Sequence, residues 1–215
     1  MKNTDPLAKH PLSAKYQNLF TKFAVNTPLR LAHFFGQAAH ESNLKPRVEN
    51  LNYSVEALLS KFGRHRISEV DARKLGRIRT QLANQEMLAN ILYGGSWGLK
   101  NLGNKTFGDG WKYRGRGIFQ ITGLSNYWGL TKYVQEVLGL NVDYVENPDL
   151  LLNEADSLIA ALWYWQMKKL NSYADKDQGL KISRGINIGN PDTEKIPNHA
   201  EDRKVKTEKF KKVFS

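Results

Sequence analysis

A mainly α-helical fold with at most a small β-ribbon is what this 215-residue sequence predicts, on three observations. Apolar residues recur at helical spacing along most of the chain. Ser, Thr, Pro and Gly stand where helix caps belong, and long alternating runs of the strand type are missing. With 40% hydrophobic and 25% charged residues the chain has the balance of an ordinary globular protein. Its length suits a single domain over 1–215, with room for a smaller lobe around 54–95.

The elements follow in order. "NTPLRLAHFFGQAAHES" reads as a helix with Thr27 as N-cap, Pro28 at the first helical position, and Leu31, Phe35 and Ala38 on its buried face. "SVEALLSKFG" has Ser54 as a cap and stops at Gly63; "SEVDARKL" and "QLANQEMLANILYGG" are further short helices, the last ended by Gly94. Six glycines fall between 94 and 110, so that stretch is expected as a loop or small ribbon. "KYRGRGIFQIT" suggests a short extended segment, after which "LSNYWGLTKYVQEVLG" and "NEADSLIAALWYWQMKKL" return to helix, with Trp163 or Trp165 in the core. "HAEDRKVKTEKFKKVF" closes the chain as a basic amphipathic helix whose apolar residues are Val205, Phe210, Val213 and Phe214.

Lys plus Arg number 32 against 21 Asp plus Glu, a formal charge of +11, which points to an anionic partner: nucleic acid, a membrane surface or an acidic cell-wall polymer. No helix-turn-helix spacing, zinc finger or RNA-binding aromatic motif accompanies the charge, so no nucleic-acid partner is expected. There is no cysteine, which excludes disulfides, thiolate metal sites and a cysteine nucleophile. "MKNTDPLAKHPLSAKYQ" has no apolar centre, so no signal peptide is expected, and the longest apolar run, "LIAALWYW", is far too short for a membrane span.

"LAHFFGQAAHESNLKPRVENLNYS" concentrates the chemistry. A zinc-protease signature would need His where Leu44 stands, and His33 and His40 lie two helical turns apart, about 10.5 Å of rise. No metal is expected. Glu41 falls in the last turn of its helix, where the negative end of the macrodipole disfavours a carboxylate and favours the protonated acid. Helix ends ordinarily carry Lys or Arg there, and a glutamate against local preference is a functional signal. Glu49 follows on a polar loop beyond Pro46 and beside Arg47. Two carboxyls in unlike environments supply the acid and the base that glycoside hydrolysis requires, while spacing alone leaves inverting and retaining chemistry open.

"AHESNLKPRVENLNYS", followed by "GDGWKYRGRGIFQITGLSNY" and "ISRGINIGN", resembles glycoside hydrolase family 19, the chitinase family, and within it the phage endolysin branch. The similarity runs in order over roughly 27–205. It implies a lysozyme-like, mainly α fold with two lobes around a substrate cleft, a single catalytic domain without a separate wall-binding module, and inverting hydrolysis of a β-1,4-linked N-acetylated amino sugar polymer without a cofactor. By this resemblance Glu41 matches the general acid and Glu49 the general base. It aligns Gln120, Thr122 and Asn126 with residues that position the attacking water, Thr122 foremost, and bind the sugar, Asn187 with a substrate-binding asparagine, and Arg203 with an arginine of the cleft network expected to hold the Glu49 carboxylate; His40 and Tyr113 are further candidates for binding substrate. The chain departs from the family in carrying Ile118 for a frequent Pro, Thr122 for Ser, and "Asn-Ile-Gly" for "Asn-Gly-Gly".

Each of these residues also has a plainer reading. Thr122 can cap the helix that starts near Leu124, Arg203 can be one more charge on a basic helix, and "GRGIFQ" holds only two glycines of a dinucleotide fingerprint. Trp97, Trp111 and Tyr113 can stack on a sugar or pack beneath a loop. Family chitinases are typically secreted and often disulfide-bonded. This basic, cysteine-free chain therefore favours the glycan strands of peptidoglycan, cut between N-acetylmuramic acid and N-acetylglucosamine. Chitinase, lytic transglycosylase and non-catalytic wall-binding protein are the alternatives. The expected setting is the cytoplasm of a host bacterium, with a separate factor giving access to the wall. A monomer is expected, and Lys204, Lys206, Lys209, Lys211 and Lys212 make the last helix a candidate for anionic outer-membrane lipid.

Overall fold

The computed structural model describes residues 5–215; the first four residues of the N-terminal stretch lie outside it. The α-helices in chain order are Pro11–Lys15 (α1), Gln17–Lys22 (α2), Pro28–Ser42 (α3), Val55–Lys61 (α4), Glu69–Leu75 (α5), Gln85–Leu92 (α6), Gly95–Leu102 (α7), Asp109–Lys112 (α8), Leu124–Glu136 (α9), Glu154–Met167 (α10), Leu170–Ala174 (α11), Gly179–Asn187 (α12) and Ala200–Phe214 (α13). Short 3-10 turns occupy Pro6–Lys9 and Pro148–Leu152. The fold is mainly α. Strand pairing among the described residues is confined to isolated bridges such as Val48 with Arg116 and Arg116 with Ile121.

Two compact units share the chain. Of the described residues, the first comprises 5–46, 117–119 and 154–215, and the second 47–116 and 120–153. In the first unit α3 starts as its sequence requires: the Thr27 side chain accepts from the Arg30 N–H and Pro28 opens the helix. It ends in a left-handed cap, with Asn43 at φ 54° and the Leu44 N–H returning to the Ala38 carbonyl at 3.2 Å. Phe34, Phe35, Phe20 and Trp165 form its aromatic core, with Phe34 5.6 Å from Phe20 and 5.5 Å from Trp165 between ring centroids. Trp163 and Trp165 are both buried.

Helix α13 lies against α3. Gly36 makes the approach possible: a Cβ there would sit 2.7 Å from the Thr207 Cα and closer still to its Oγ1. Replacing Gly36 by Ala forces the two helices apart and is expected to lower stability by about 1–3 kcal/mol, read from the denaturant midpoint. The inward face of α13 differs from the expected apolar one. Arg203, Thr207 and Phe214 are buried, Phe210 and Phe214 meet Phe35 at 5.4 and 5.1 Å, and Val205 and Val213 are exposed.

The second unit has its own core of Leu51, Leu58, Ile67, Leu75, Leu88 and Leu92. Ser54 caps α4 as expected, but the helix stops at Lys61, two residues before Gly63, because Phe62 turns extended. The glycine-rich stretch 94–110, expected as loop or ribbon, instead contains α7 and α8. Its glycines punctuate helices: Gly103 ends α7 at φ 70° and Gly108 enters α8 at φ 102°. Gly110 lets α8 close on α6, where a Cβ would lie 2.8 Å from the Asn90 Cα, and the Trp111 N–H donates to Asn90 Oδ1 at 2.8 Å.

Candidate active site

Glu41 and Glu49 belong to different units, and each sits in a built environment of its own. In the first unit the last turn of α3 presents Glu41 where the helix dipole disfavours negative charge, and Arg203 supplies the compensation. The Arg203 Nη2 donates to Glu41 Oε1, Nη1 donates to Gln37 Oε1 at 2.7 Å, and Nε donates to the Asn198 carbonyl at 3.0 Å. Gln37 and Glu41 are one turn apart on the same face of α3, so one guanidinium bridges both. The Gln37 amide in turn donates to Ser183 Oγ at 3.1 Å. With Arg203 at 1% exposure and the Glu41 side chain at 18%, the pair is held from beneath while the carboxyl keeps an open edge.

The Tyr164 phenol is pushed up to about 12 by burial and then by the Glu41 charge, so it stays protonated beside that carboxyl. Asn187 joins the same network through Asn198, whose N–H donates to Asn187 Oδ1 at 2.9 Å. His40, next to Glu41, faces Asp202 at 2.5 Å, and its ring centroid is 5.7 Å from that of His199. Hydrogen bonds from Lys206 and then His40 hold the Asp202 carboxyl down to about 2.

In the second unit Glu49 is gripped at three points. Its N–H donates to the Gly115 carbonyl at 2.8 Å, Oε2 accepts the Gly115 N–H at 3.2 Å, and Oε1 accepts the Tyr93 hydroxyl at 2.5 Å. Burial, then the Glu49 charge, drives the Tyr93 phenol well above its ordinary range, which keeps its proton available for that bond. The same two causes raise Tyr53. Arg66 stacks 3.6 Å above the Trp97 ring, and Arg114 stacks at the same distance on Trp111.

Gly115 also gathers the polar residues of "GRGIFQITGLSNY". A Cβ at this position would lie 3.2 Å from Gln120 Oε1, 3.2 Å from Thr122 Oγ1 and 3.3 Å from the Glu49 Cβ. Glu49, Gln120 and Thr122 therefore converge on one small opening. Gln120 takes a left-handed φ of 50° and donates to the Arg47 carbonyl at 2.9 Å. Thr122 donates to the Gln120 carbonyl at 2.8 Å, and the Asn126 amide donates to the Thr122 carbonyl at 2.7 Å.

Three expectations change. Arg203 pairs with Glu41, not Glu49, and lies buried beneath that carboxyl, where it presents no surface to a sugar. Tyr113 is 4% exposed, lies 5.3 Å from Tyr127 between ring centroids and donates to the Val145 carbonyl at 3.4 Å, so its ring is core of the second unit and offers no stacking platform. Thr122 does not cap α9; the Leu124 N–H donates to Asn104 Oδ1 at 2.9 Å. Sequence reading missed Tyr93, Gln37 and Gly115. Gln37 carried one signal, a polar residue on the buried side of α3 one turn before Glu41.

Chemically, Glu41 offers a carboxyl with one oxygen fixed by a cation and the other left to carry or give a proton. Glu49 offers a carboxylate with one donor on each oxygen and lone pairs to spare for water. Among known proteins, one from Haemophilus influenzae (strain ATCC 51907 / DSM 11121 / KW20 / Rd), described as a "Glycosyl hydrolase family 19 domain-containing protein", is 34% identical over 184 residues. The match covers 84% of this chain and 82% of that protein. No family model matches the chain.

Proposed function

The chain belongs to glycoside hydrolase family 19, and as a glycoside hydrolase of that family we propose that it is an endolysin-type muramidase. It hydrolyses the β-1,4 bond between N-acetylmuramic acid and N-acetylglucosamine in peptidoglycan, with inversion, and so lyses bacterial cells. The observation that carries this reading is that two carboxyls stand in unlike built environments, Glu41 at a helix end on Arg203 and Glu49 between the Tyr93 hydroxyl and the Gly115 N–H. The +11 charge favours the anionic wall polymer over neutral chitin.

In this mechanism Glu41 gives its proton to the glycosidic oxygen as the C1–O bond breaks. Water adds to C1 and loses its proton to Glu49, so the β-linked substrate yields an α-anomer. Thr122 and Gln120 hold that water beside Glu49, and His40, Asn126 and Asn187 hydrogen-bond the sugars. Arg203 orients the acid through Glu41 Oε1. Tyr93 orients the base, and replacing it by Phe is expected to lower kcat about tenfold, since a hydrogen bond to a charged group is worth about 1.5–3 kcal/mol. A kcat within twofold of the parent would remove Tyr93 from the mechanism.

Among the described residues no helix is long and apolar enough to cross a membrane. The enzyme is read as accumulating in the host bacterial cytoplasm and meeting the wall once a separate pore-forming factor gives access. Mass spectrometry of digested peptidoglycan tests the bond: new N-acetylmuramic acid reducing ends are expected, with the α-anomer first by NMR. Anhydro-muramyl ends would mean a lytic transglycosylase instead. Cleavage of chitin oligomers without muropeptide release would mean a chitinase.

A further inference from the structure

The first unit holds a cavity of about 400 Å³ that the hydrolytic chemistry does not use. It is lined along one face of α13, where Glu201, Lys204, Glu208 and Lys211 follow at helical spacing, and by His33 of α3 with Asp177 and Gly179. Lys211 is already committed, 2.7 Å from Asp177 and 2.8 Å from Glu208. Glu201 and Lys204 have no ion-pair partner among the described residues.

His33 is the informative group. It is 1% exposed, and its Nε2 lies 2.7 Å from Asp177 Oδ1, so Nε2 carries the proton and Nδ1 presents a lone pair. That Nδ1 is buried and has no hydrogen-bond partner. Gly179 flanks the ring edge without a side chain of its own: a Cβ there would stand in van der Waals contact, 3.4 Å from His33 Cε1 and 3.8 Å from Nδ1. A buried acceptor without a donor calls for a ligand that brings one. The cavity's three carboxylates and two ammonium groups disfavour a plain anion, while the unpaired Lys204 still offers a carboxylate partner. Lys211 marks the His33 end of the cavity, since both hold Asp177, and Lys204 stands seven residues, about 10.5 Å, back along the helix, a length that three extended residues, about 10 Å, span.

We propose that this cavity binds a short zwitterionic peptide of about three residues, extended along α13, with its amino terminus donating to His33 Nδ1 and its terminal carboxylate on Lys204. Asp177 stands behind the imidazole and orients it. Leu180, Ala200 and Thr207 complete a lining that suits small apolar side chains. The site takes peptide whichever glycan the enzyme cuts, so its test uses no glycan.

Trialanine is titrated into the full chain and followed by ¹⁵N–¹H NMR, including the His33 ring nitrogens. Saturable shifts at His33 and along the Glu201 to Lys211 face are expected, with a Kd of about 1 mM. N-acetyl-trialanine and trialanine amide should each bind about tenfold more weakly, a loss of about 1.4 kcal/mol. Lys204→Ala, an exposed substitution, should weaken trialanine by the same factor and leave trialanine amide unchanged. Absence of saturable shifts, equal binding of the blocked peptides, or inorganic phosphate binding as tightly as trialanine would each overturn the proposal.

Discussion

Glu41→Gln is expected to lower the rate of peptidoglycan hydrolysis by about 10²-fold or more while the protein stays folded. The substitution changes little except the proton. The amide oxygen of Gln can still accept from Arg203 Nη2, so the bridge to Gln37 survives and α3 and α13 keep their contact. What is lost is an acidic proton for the leaving oxygen, an interaction made in the transition state, so the fall belongs in kcat with KM nearly unchanged. Muropeptide release from purified peptidoglycan, alongside the thermal unfolding midpoint, reads both quantities. Unchanged release would remove Glu41 from the acid role.

Arg203→Met should produce the largest loss of stability, about 3 kcal/mol or more, because it removes one partner of a largely buried ion pair and strands the other. Three acceptors lose their donor together: Glu41 Oε1, Gln37 Oε1 and the Asn198 carbonyl. The double variant Arg203→Met with Glu41→Gln discriminates. With the stranded charge gone, it should recover part of the loss, and urea unfolding of the four proteins gives the coupling directly. A loss under about 1 kcal/mol in the single variant would show a solvated pair of the weak surface kind.

The two units meet this chemistry differently. Glu41 is fixed by a cation from a helix packed on its own, and Glu49 by a tyrosine hydroxyl and a backbone N–H. Tyr93 lies 44 residues from Glu49, and Arg203 lies 162 from Glu41. Neither partnership is visible as a spacing. The family resemblance marked Glu41, Glu49, Gln120 and Thr122 in chain order, but it placed Arg203 against Glu49, and the position of Tyr113 beside the glycine-rich stretch suggested a sugar contact where the ring is buried.

What the sequence determined by itself is the local part. Thr27 and Pro28 start α3, Ser54 starts α4, and apolar spacing marks α10, because caps and helical faces depend on neighbours within about four residues. It also marked Glu41 as a carboxylate at a helix end that ordinarily carries the opposite charge. Tertiary structure alone decided what balances that charge, what grips Glu49, and that glycines 94–110 punctuate two helices. Gly36 shows why. Read locally it only weakens a helix, yet its missing side chain admits Thr207 and sets α13 close enough for Arg203 to reach Gln37 and Glu41 together. Such contacts depend on which distant surfaces pack, and that is settled by the summed burial of the whole unit rather than by any short stretch of the chain.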